Sequence, residues 1–336
     1  MKNILVSGYI GFNNFGDEAI FCALSQHLKK LKYDVSVLCS NCEDVHYKYN
    51  VKTYNYKNLV EIFSAILKCD TLISGGGSLL QNKTSNFSLF YYLFIILLAK
   101  ILKKKVIIFA QGIEPILGKF PEFITKTILK MVDYITVRDY ESKKLLKTWN
   151  IESTLVSDPA YSLVQDRKIN SQKDGLVVQL RRFRGMDEKL LKALASSVAK
   201  NYVGKIRVFS FQDEIDGKIC FEFIEELKKL GANAQYIPAK SIDETIEILN
   251  NAQYVISTRL HGLIISNALK SKTFALMYDE KIRTLVSELN LMSLDIYNYT
   301  NKILDDLLYK FFNLEIPKTR EFRRFEWSEI EEQLCI

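Results

Sequence analysis

Glycine, proline and regularly spaced cysteines are scarce in this sequence. The 14 glycines and 5 prolines among 336 residues exclude collagen-like and low-complexity chains. Six cysteines without framework spacing predict reduced thiols, as in a cytoplasmic protein. Cys39 and Cys42 form a CxxC pair, which we expect to follow a strand instead of opening a helix, and no second CxxC or histidine pair accompanies it. The sequence therefore predicts no metal site.

Long basic runs and long apolar runs are also missing. The net charge is +7, but the longest run of basic residues is the three lysines at 103–105, so we expect no nucleic-acid partner. The charge suits anionic substrates or an anionic membrane surface. The most membrane-like segment, 84–99, would form a helix of roughly 24 Å, short of a ~30 Å hydrocarbon core. We interpret it as a largely buried helix, with docking onto a membrane or a partner protein as the alternative.

Short β-rich apolar runs alternate with longer amphipathic stretches along the chain. This alternation predicts α/β architecture, with mainly parallel sheets and helices on both faces. A polar stretch without apolar periodicity, 165–174, interrupts the pattern, which then restarts. We therefore predict an N-terminal α/β domain over 1–160, a linker over 161–174 and a C-terminal α/β domain over 175–336, whose last helices could pack back on the first domain. Both domains would direct their strand-end loops at a shared cleft.

Two glycine-rich loops follow predicted strands in the N-terminal half. Residues 8–19 contain three glycines, and Asp17 stands where a helix N-cap belongs. The spacing is not that of a dinucleotide-binding loop, and a plain strand–helix turn is the alternative. Gly75, Gly76 and Gly77 would bring main-chain N–H groups close to an anion at a helix start, or would form only a tight turn.

Two arginines and one histidine also follow predicted strands. Arg138 precedes a helix capped by Asp139, and its alternative role is a surface salt bridge. Arg259 and His261 end a buried strand and open an apolar helix, which places a titratable group beside a fixed cation and free backbone donors. A structural histidine is the alternative. Of the other two histidines, we place His27 on a helix face and His46 in a polar loop.

Five segments occur in an order that carries a family resemblance. They are Gly-Tyr-x-Gly-x-x-Asn-x-Gly-Asp-Glu-Ala from residue 8, Gly-Gly-Gly-Ser-Leu-Leu from 75, Val-Arg-Asp-x-x-Ser from 137, Asp-Pro-Ala from 158, and Arg-Leu-His-Gly from 259 followed by Tyr-Asp-x-Lys from 278. Together they resemble the polysaccharide pyruvyl transferase family, most closely its CsaB-type bacterial members. The sequence departs from the family at 180–183, where Leu-Arg-Arg-Phe stands in place of Arg-Pro-Trp, and after residue 291.

The resemblance implies a fold like that of GT-B glycosyltransferases, with two Rossmann-like domains. It implies transfer of a pyruvyl group from phosphoenolpyruvate, as co-substrate, to two hydroxyls of a sugar or lipid-linked oligosaccharide, which forms a ketal without metal or other cofactor. Such glycans belong to the capsule, cell wall or exopolysaccharide, and the enzyme would act in the cytoplasm or at the inner face of the membrane.

The same resemblance assigns roles to individual residues. His261 would be the general acid, and Asp17 would orient an acceptor hydroxyl. The donor would be held by Arg138, Arg259, the main chain at Leu260, Gly75, Gly76 and Gly77. The acceptor would be contacted by Asn14, Arg181 and Arg182.

Two other functions are compatible with the sequence. One is a GT-B nucleotide-sugar glycosyltransferase, for which Glu280 and Glu288 have the spacing that retaining enzymes use. The other is a non-catalytic, membrane-docked partner in polysaccharide assembly, suggested by segment 84–99.

Overall fold

The computed structural model describes residues 2–83, 85–183, 185–238, 241–314 and 319–335. Residue 84, the first of the predicted apolar segment, lies outside the described residues, as do the two chain ends that bound the predicted domains. The described chain forms two compact units. The first runs to Leu163 and includes the tail from Arg324, and the second is Val164–Arg323. A division by contacts does not test which parts of the chain fold independently. The predicted domain limits therefore stay a prediction.

The first unit is built on a seven-stranded sheet. Its order is β3-β2-β1-β4-β5-β6-β7, with parallel pairing throughout the described strands. The strands are β1 (Asn3–Ser7), β2 (Asp34–Cys39), β3 (Lys52–Asn55), β4 (Thr71–Ser74), β5 (Lys105–Gln111), β6 (Tyr134–Val137) and β7 (Thr154–Leu155). The helices are α1 (Phe15–Lys30), α2 (Cys42–Tyr49), α3 (Leu59–Lys68), α4 (Asn86–Ile101), α5 (Lys119–Leu129) and α6 (Tyr140–Thr148), and a 3₁₀ turn follows at Pro159–Leu163.

The second unit repeats this architecture on a six-stranded parallel sheet. Its order is β10-β9-β8-β11-β12-β13. The strands are β8 (Asp174–Gln179), β9 (Ile206–Phe209), β10 (Ala234–Tyr236), β11 (Ala252–Ser257), β12 (Lys272–Met277) and β13 (Met292–Asp295). The helices are α7 (Glu188–Asn201), α8 (Asp213–Lys229), α9 (Ile242–Asn250), α10 (Leu260–Ala268), α11 (Glu280–Leu289) and α12 (Asn301–Asn313).

Each sheet contains a point where the strand order reverses. It lies between β1 and β4 in the first unit and between β8 and β11 in the second. The helices that follow neighbouring strands leave on opposite faces there, so a crevice opens at the carboxyl ends of the strands. The loops singled out in the sequence at residues 8–14, 75–79 and 258–262 lie at these two points.

The tail closes the first unit from the side of α1. Phe325 is almost fully buried, and the indole ring of Trp327 stacks on His27, with ring centroids 4.0 Å apart, and on Phe109. The last helix, α13 (Ser328–Cys335), accepts a hydrogen bond at the Leu334 carbonyl from Lys2 Nζ, 2.8 Å away. The tail is therefore part of the first unit's core.

The predicted fold class is confirmed, with two parallel sheets and alternating helices in a GT-B-like fold. Three local predictions are wrong. Asn14 is the N-cap of α1 and Asp17 is the third residue of that helix, so Asp17 does not stand at the N-cap. His46 lies in α2 instead of a loop, and Cys42 is the first residue of that helix, so the CxxC pair does open a helix. Only Val45 of α2 is buried, and one buried residue leaves no periodicity to detect. The sulfurs of Cys39 and Cys42 are 3.7 Å apart, and both thiols are free.

Candidate functional site

In the first unit, the loop after β1 and the loop after β4 approach each other at α1. Asn14 Nδ2 donates a hydrogen bond to Asp17 Oδ2 at 2.5 Å, and Asp17 lies in the first turn of α1. Gly77 has φ +98, and a Cβ on it would lie 2.3 Å from Asp17 Oδ1. The left-handed backbone therefore favours glycine at this position, and a Cβ would force the Asp17 carboxylate to move.

Arg138 lies on the same sheet edge, directly after β6. Its side chain is 8% exposed, and its terminal nitrogens reach Asp158 Oδ2 at 2.7 Å and Ser78 Oγ at 3.2 Å. Asp139 instead caps α6 by accepting a hydrogen bond from the Ser142 N–H. The guanidinium is thus fixed by a buried carboxylate and by the serine that follows the three glycines.

Gly112 connects these two groups. Its N–H donates to the Gly77 carbonyl at 2.8 Å. A Cβ on Gly112 would lie 3.0 Å from Ser78 Oγ and 3.2 Å from Arg138 Nε. A glycine here lets the loop after β5 pass close to the arginine. Gly112 was not predicted from the sequence, although it directly follows an apolar strand, as Arg138 does.

In the second unit, Arg259 occupies the N-cap position of α10, directly after β11. It is 7% exposed, and its Nε donates to Asp216 Oδ2 at 3.1 Å, while its Nη2 contacts the same oxygen. Asp216 is fully buried in the first turn of α8. Burial raises the pKa of this carboxyl, and the Arg259 charge opposes that rise.

Arg181 belongs to the same cluster. It follows β8, its Nη1 lies 3.4 Å from the Tyr278 hydroxyl, and its charge acts on both Asp216 and Arg259. Burial raises the pKa of Tyr278, whose ring stacks on Phe183 with centroids 4.2 Å apart. The predicted acceptor residue Arg181 thus stands beside the predicted donor residue Arg259.

The side chain of Arg182 lies apart from this cluster. Its guanidinium pairs with Glu222 on α8, and both side chains are substantially exposed. Of the two arginines predicted to contact the acceptor, the structure brings only Arg181 next to Arg259.

Leu260 and His261 are the first two residues of α10, and Gly262 holds this turn against the sheet. A Cβ on Gly262 would lie 2.4 Å from Ser257 Oγ. That hydroxyl donates to Gln179 Oε1 at 2.8 Å and accepts from the Arg259 N–H at 3.0 Å. The first-turn N–H groups of any helix have no partner within the helix, so they form a set of donors suited to an anion.

The structure therefore groups the predicted residues into two clusters, one in each unit. The first contains Asn14, Asp17, Gly75, Gly76, Gly77 and Arg138, and the second contains Arg181, Arg259, Leu260 and His261. Their roles and their union in one site stay predictions. Asp216 was missed because it follows Asp213 and Glu214, where acidic residues are ordinary helix-dipole partners.

Solved structures of sugar-nucleotide enzymes share this fold. The UDP-GlcNAc 2-epimerase of Methanocaldococcus jannaschii is 15% identical, with 100% of this chain and 99% of that chain covered and a TM-score of 0.68. The UDP-GlcNAc 2-epimerase of Neisseria meningitidis bound to UDP-GlcNAc is 14% identical, with 100% and 99% covered and a TM-score of 0.64. Anabaena HepE in complex with UDP and glucose is 8% identical, with 92% and 89% covered and a TM-score of 0.55. At these identities the likeness shows the fold alone, and the chain is a GT-B-like α/β protein.

The family follows from the sequence comparison. The family model described as polysaccharide pyruvyl transferase matches residues 14–280, so the chain belongs to the polysaccharide pyruvyl transferase family. It is accordingly a transferase of polysaccharide biosynthesis. No curated protein sequence gives a significant match. The CsaB-type subtype stays a prediction.

Proposed function

We propose that this protein transfers the pyruvyl group of phosphoenolpyruvate to two hydroxyls of a sugar in a cell-surface glycan. The observation that carries the proposal is Arg259, a buried arginine fixed at the N-terminus of α10 beside His261. It lies within the matched part of the chain. Phosphoenolpyruvate has two acidic groups and a methylene carbon that must be protonated. Its site therefore needs a fixed cation, N–H donors and a group that can give a proton, and all three occur at this strand end.

Donor binding requires two fixed cations, because phosphoenolpyruvate carries a phosphate and a carboxylate on one small frame. Arginine suits both groups, since its planar fork binds them bidentately. We assign these roles to Arg138 and Arg259, with N–H groups of residues 75–77 and 260 as further donors. Asp158 and Asp216 orient the two guanidinium groups, as their 2.7 Å and 3.1 Å contacts indicate.

The reaction begins with protonation of the methylene carbon of the donor. His261, as an imidazolium, gives that proton, and the neighbouring carbon becomes electrophilic. A sugar hydroxyl adds to it and releases its proton, with Asp17 orienting this hydroxyl. Phosphate then leaves with the electron pair of its C–O bond, and the second hydroxyl adds to close the ketal. One of the two released protons restores His261 and the other is taken up by the departing phosphate. The products are therefore the ketal and hydrogen phosphate, and the proposed reaction uses no metal or other cofactor.

We assign the acceptor to a sugar or lipid-linked oligosaccharide destined for the capsule, cell wall or exopolysaccharide. Asn14 and Arg181 are its proposed contacts, and Arg182 would have to leave Glu222 to join them. Such acceptors are assembled on the cytoplasmic side of the membrane, where we place the enzyme. Among the described residues no helix is long and apolar enough to span a bilayer.

A nucleotide-sugar glycosyltransferase is the second candidate. It is favoured by solved structures of the same fold that are bound to UDP-GlcNAc or to UDP and glucose. Glu280 and Glu288 lie on α11, and Glu280 is 3.7 Å from Arg283. Thermal unfolding with each donor separates the two functions, since phosphoenolpyruvate should raise the melting temperature for the first and UDP-GlcNAc for the second.

The decisive experiment measures phosphate release from phosphoenolpyruvate with a panel of aryl glycosides and lipid-linked sugars. We expect acceptor-dependent release by the wild-type protein. Replacing Arg138 or Arg259 by Ala should weaken donor binding by about 2–5 kcal/mol, the scale of losing one partner of a buried charge pair. Arg167→Ala is the control, because Arg167 pairs only with exposed carboxylates on α9. Unchanged donor affinity in both test variants would remove the assignment.

A further inference from the structure

Three helices lie side by side on one face of the first sheet. The rings of Tyr56, before α3, and Tyr91, on α4, are 6.0 Å apart. At the other end of these helices, Lys104 Nζ donates to the Leu67 carbonyl of α3 at 2.8 Å. The ring of Phe90 on α4 lies 6.4 Å from that of Phe120 on α5. The inner faces of all three helices share one hydrophobic core, so α4 is the middle member of this layer.

The outer face of this layer is apolar. Helices on a protein surface ordinarily direct charged residues outward. Here Phe87 is 82% exposed, Val60 is 79% exposed and Phe120 is 67% exposed. Helix α4 has no charged residue before Lys100. The large apolar residues exposed on the layer are Leu59, Val60, Phe63, Leu67, Phe87, Phe94, Ile101, Phe120 and Phe123, and we call them the apolar layer face.

The spacing of the exposed residues on α4 makes the face continuous. Phe87, Phe94 and Ile101 follow one another at intervals of seven residues, which is close to two helical turns. They therefore form one line along the outside of a helix about 24 Å long. The buried side chains of Leu89, Leu93 and Ile96 anchor the opposite side of α4 in the core. Rotating α4 to bury these three exposed residues would remove the anchoring side chains from the core.

Lysines stand at both ends of the three helices. Lys68, Lys103 and Lys130 are at the C-terminal ends, and Lys57 and Lys119 are at the N-terminal ends; all five are exposed. None of them forms an ion pair in the part of the chain that the structure describes. Residues 57–131 contain ten lysines, no arginine and four acidic residues. This segment therefore has a net charge of +6, close to the +7 of the whole chain.

We propose that the apolar layer face docks onto an anionic lipid bilayer, with α3, α4 and α5 lying in the plane of the interface. Aromatic and aliphatic side chains enter the boundary between headgroups and acyl chains, while lysine side chains reach the anionic headgroups. An exposed apolar area with lysines at both ends of its helices matches an anionic lipid surface in polarity and charge. The inference goes beyond the proposed function, because it involves neither the donor nor the predicted site residues.

Flotation of the purified full-length protein with vesicles tests this proposal. Vesicles of phosphatidylcholine with 30% phosphatidylglycerol should carry the protein upward at low salt, and pure phosphatidylcholine or high salt should reduce flotation. The variant Lys68→Gln, Lys119→Gln, Lys130→Gln should lower the partition coefficient about 100-fold at low salt, from the attraction expected per lysine. Its control is Lys189→Gln, Lys228→Gln, Lys302→Gln in the second unit, which should float like the wild type.

A second variant tests the apolar contribution. Phe87→Ser with Phe120→Ser changes two side chains that are mostly exposed, so the melting temperature should change little while flotation falls at least tenfold. Val203→Ser with Phe221→Ser, exposed in the second unit, is its control. Release of phosphate with a water-soluble acceptor should be equal in all of these variants.

Three outcomes would overturn the proposal. The first is failure of the wild-type protein to float with anionic vesicles at low salt. The second is undiminished flotation of both test variants. The third is absent flotation of the wild type together with a concentration-dependent dimer in light scattering, which Phe87→Ser with Phe120→Ser abolishes. That result would make the apolar layer face an interface between two copies of the chain.

Discussion

Replacing Asp216, the buried partner of Arg259, tests whether Arg259 binds the donor or only stabilises the fold. Asp216→Asn keeps the size of the side chain and an oxygen that accepts a hydrogen bond, but it removes the charge opposite the guanidinium. Losing one partner of a buried ion pair costs about 3–5 kcal/mol, and the retained oxygen places this variant near 3 kcal/mol. For a cooperative unit of about 160 residues, we expect the melting temperature to fall by roughly 6–12 °C.

Phosphoenolpyruvate should reduce the difference in melting temperature between Asp216→Asn and the wild type. If the donor lies against Arg259, its negative charge replaces the lost carboxylate, and the donor stabilises the variant more than the wild type. A ligand at a hundred times its Kd stabilises a protein by about 2.7 kcal/mol. Differential scanning fluorimetry can therefore measure the shift in melting temperature that the donor causes in each protein. The measurement is the melting temperature of both proteins over a donor titration.

A matched control separates this effect from ordinary ion-pair loss. Asp305 also pairs with a cation in the second unit, but its partner Lys200 is 67% exposed. Asp305→Asn should lower stability only slightly, and its difference from the wild type should not depend on the donor. If the gap between Asp216→Asn and the wild type stays constant from zero to saturating donor, Arg259 does not contact the donor, and the assignment is refuted.

Three further predictions follow from single positions. Gly262→Ala should reduce turnover at least tenfold, because its Cβ would lie 2.4 Å from the serine hydroxyl at the end of β11 and displace the first turn of α10, whereas Gly217→Ala, with open space around it, should keep full activity. His261→Gln should lower turnover at least a hundredfold with little change in donor affinity, and near wild-type turnover would make His261 structural. Burial lowers the pKa of His27 below 6.5, so the unfolded chain takes up a proton first as pH falls, and stability should drop below pH 6.5. His27→Gln should remove that part of the pH profile of urea unfolding, and an unchanged profile would contradict the reasoning.

The alternating pattern predicted most strands and helices because the sheets are parallel and their inner strands are apolar on both faces. The edge strand β3 was missed. Of its four residues only Tyr54 is buried, so the strand lacks the apolar run that identified β4 or β5. The elements after residue 291, including β13 and α12, lie beyond the family motifs and were not predicted.

Candidate site residues that directly follow a strand could be singled out from the sequence. Arg138 and Arg259 were found because each follows a strand, and the carboxyl ends of parallel strands share one edge. Their partners were not, because the ion pairs join residues 20 and 43 positions apart. Asp158 was recognised only as part of a motif, and Asp216 was concealed among the acidic residues that begin α8. Pairing of this kind depends on three-dimensional packing that periodicity does not encode.

The tail that contains Phe325 and Trp327 has a consequence for synthesis on the ribosome. The 160 residues of the second unit, Val164–Arg323, separate it in sequence from the sheet that it covers. At bacterial and eukaryotic translation rates, about 8–32 s pass between completion of the first sheet and arrival of these two aromatic rings. During that interval the side of Phe109 that faces the tail is open to water or to a chaperone. The first unit to be translated is therefore the last to complete its core.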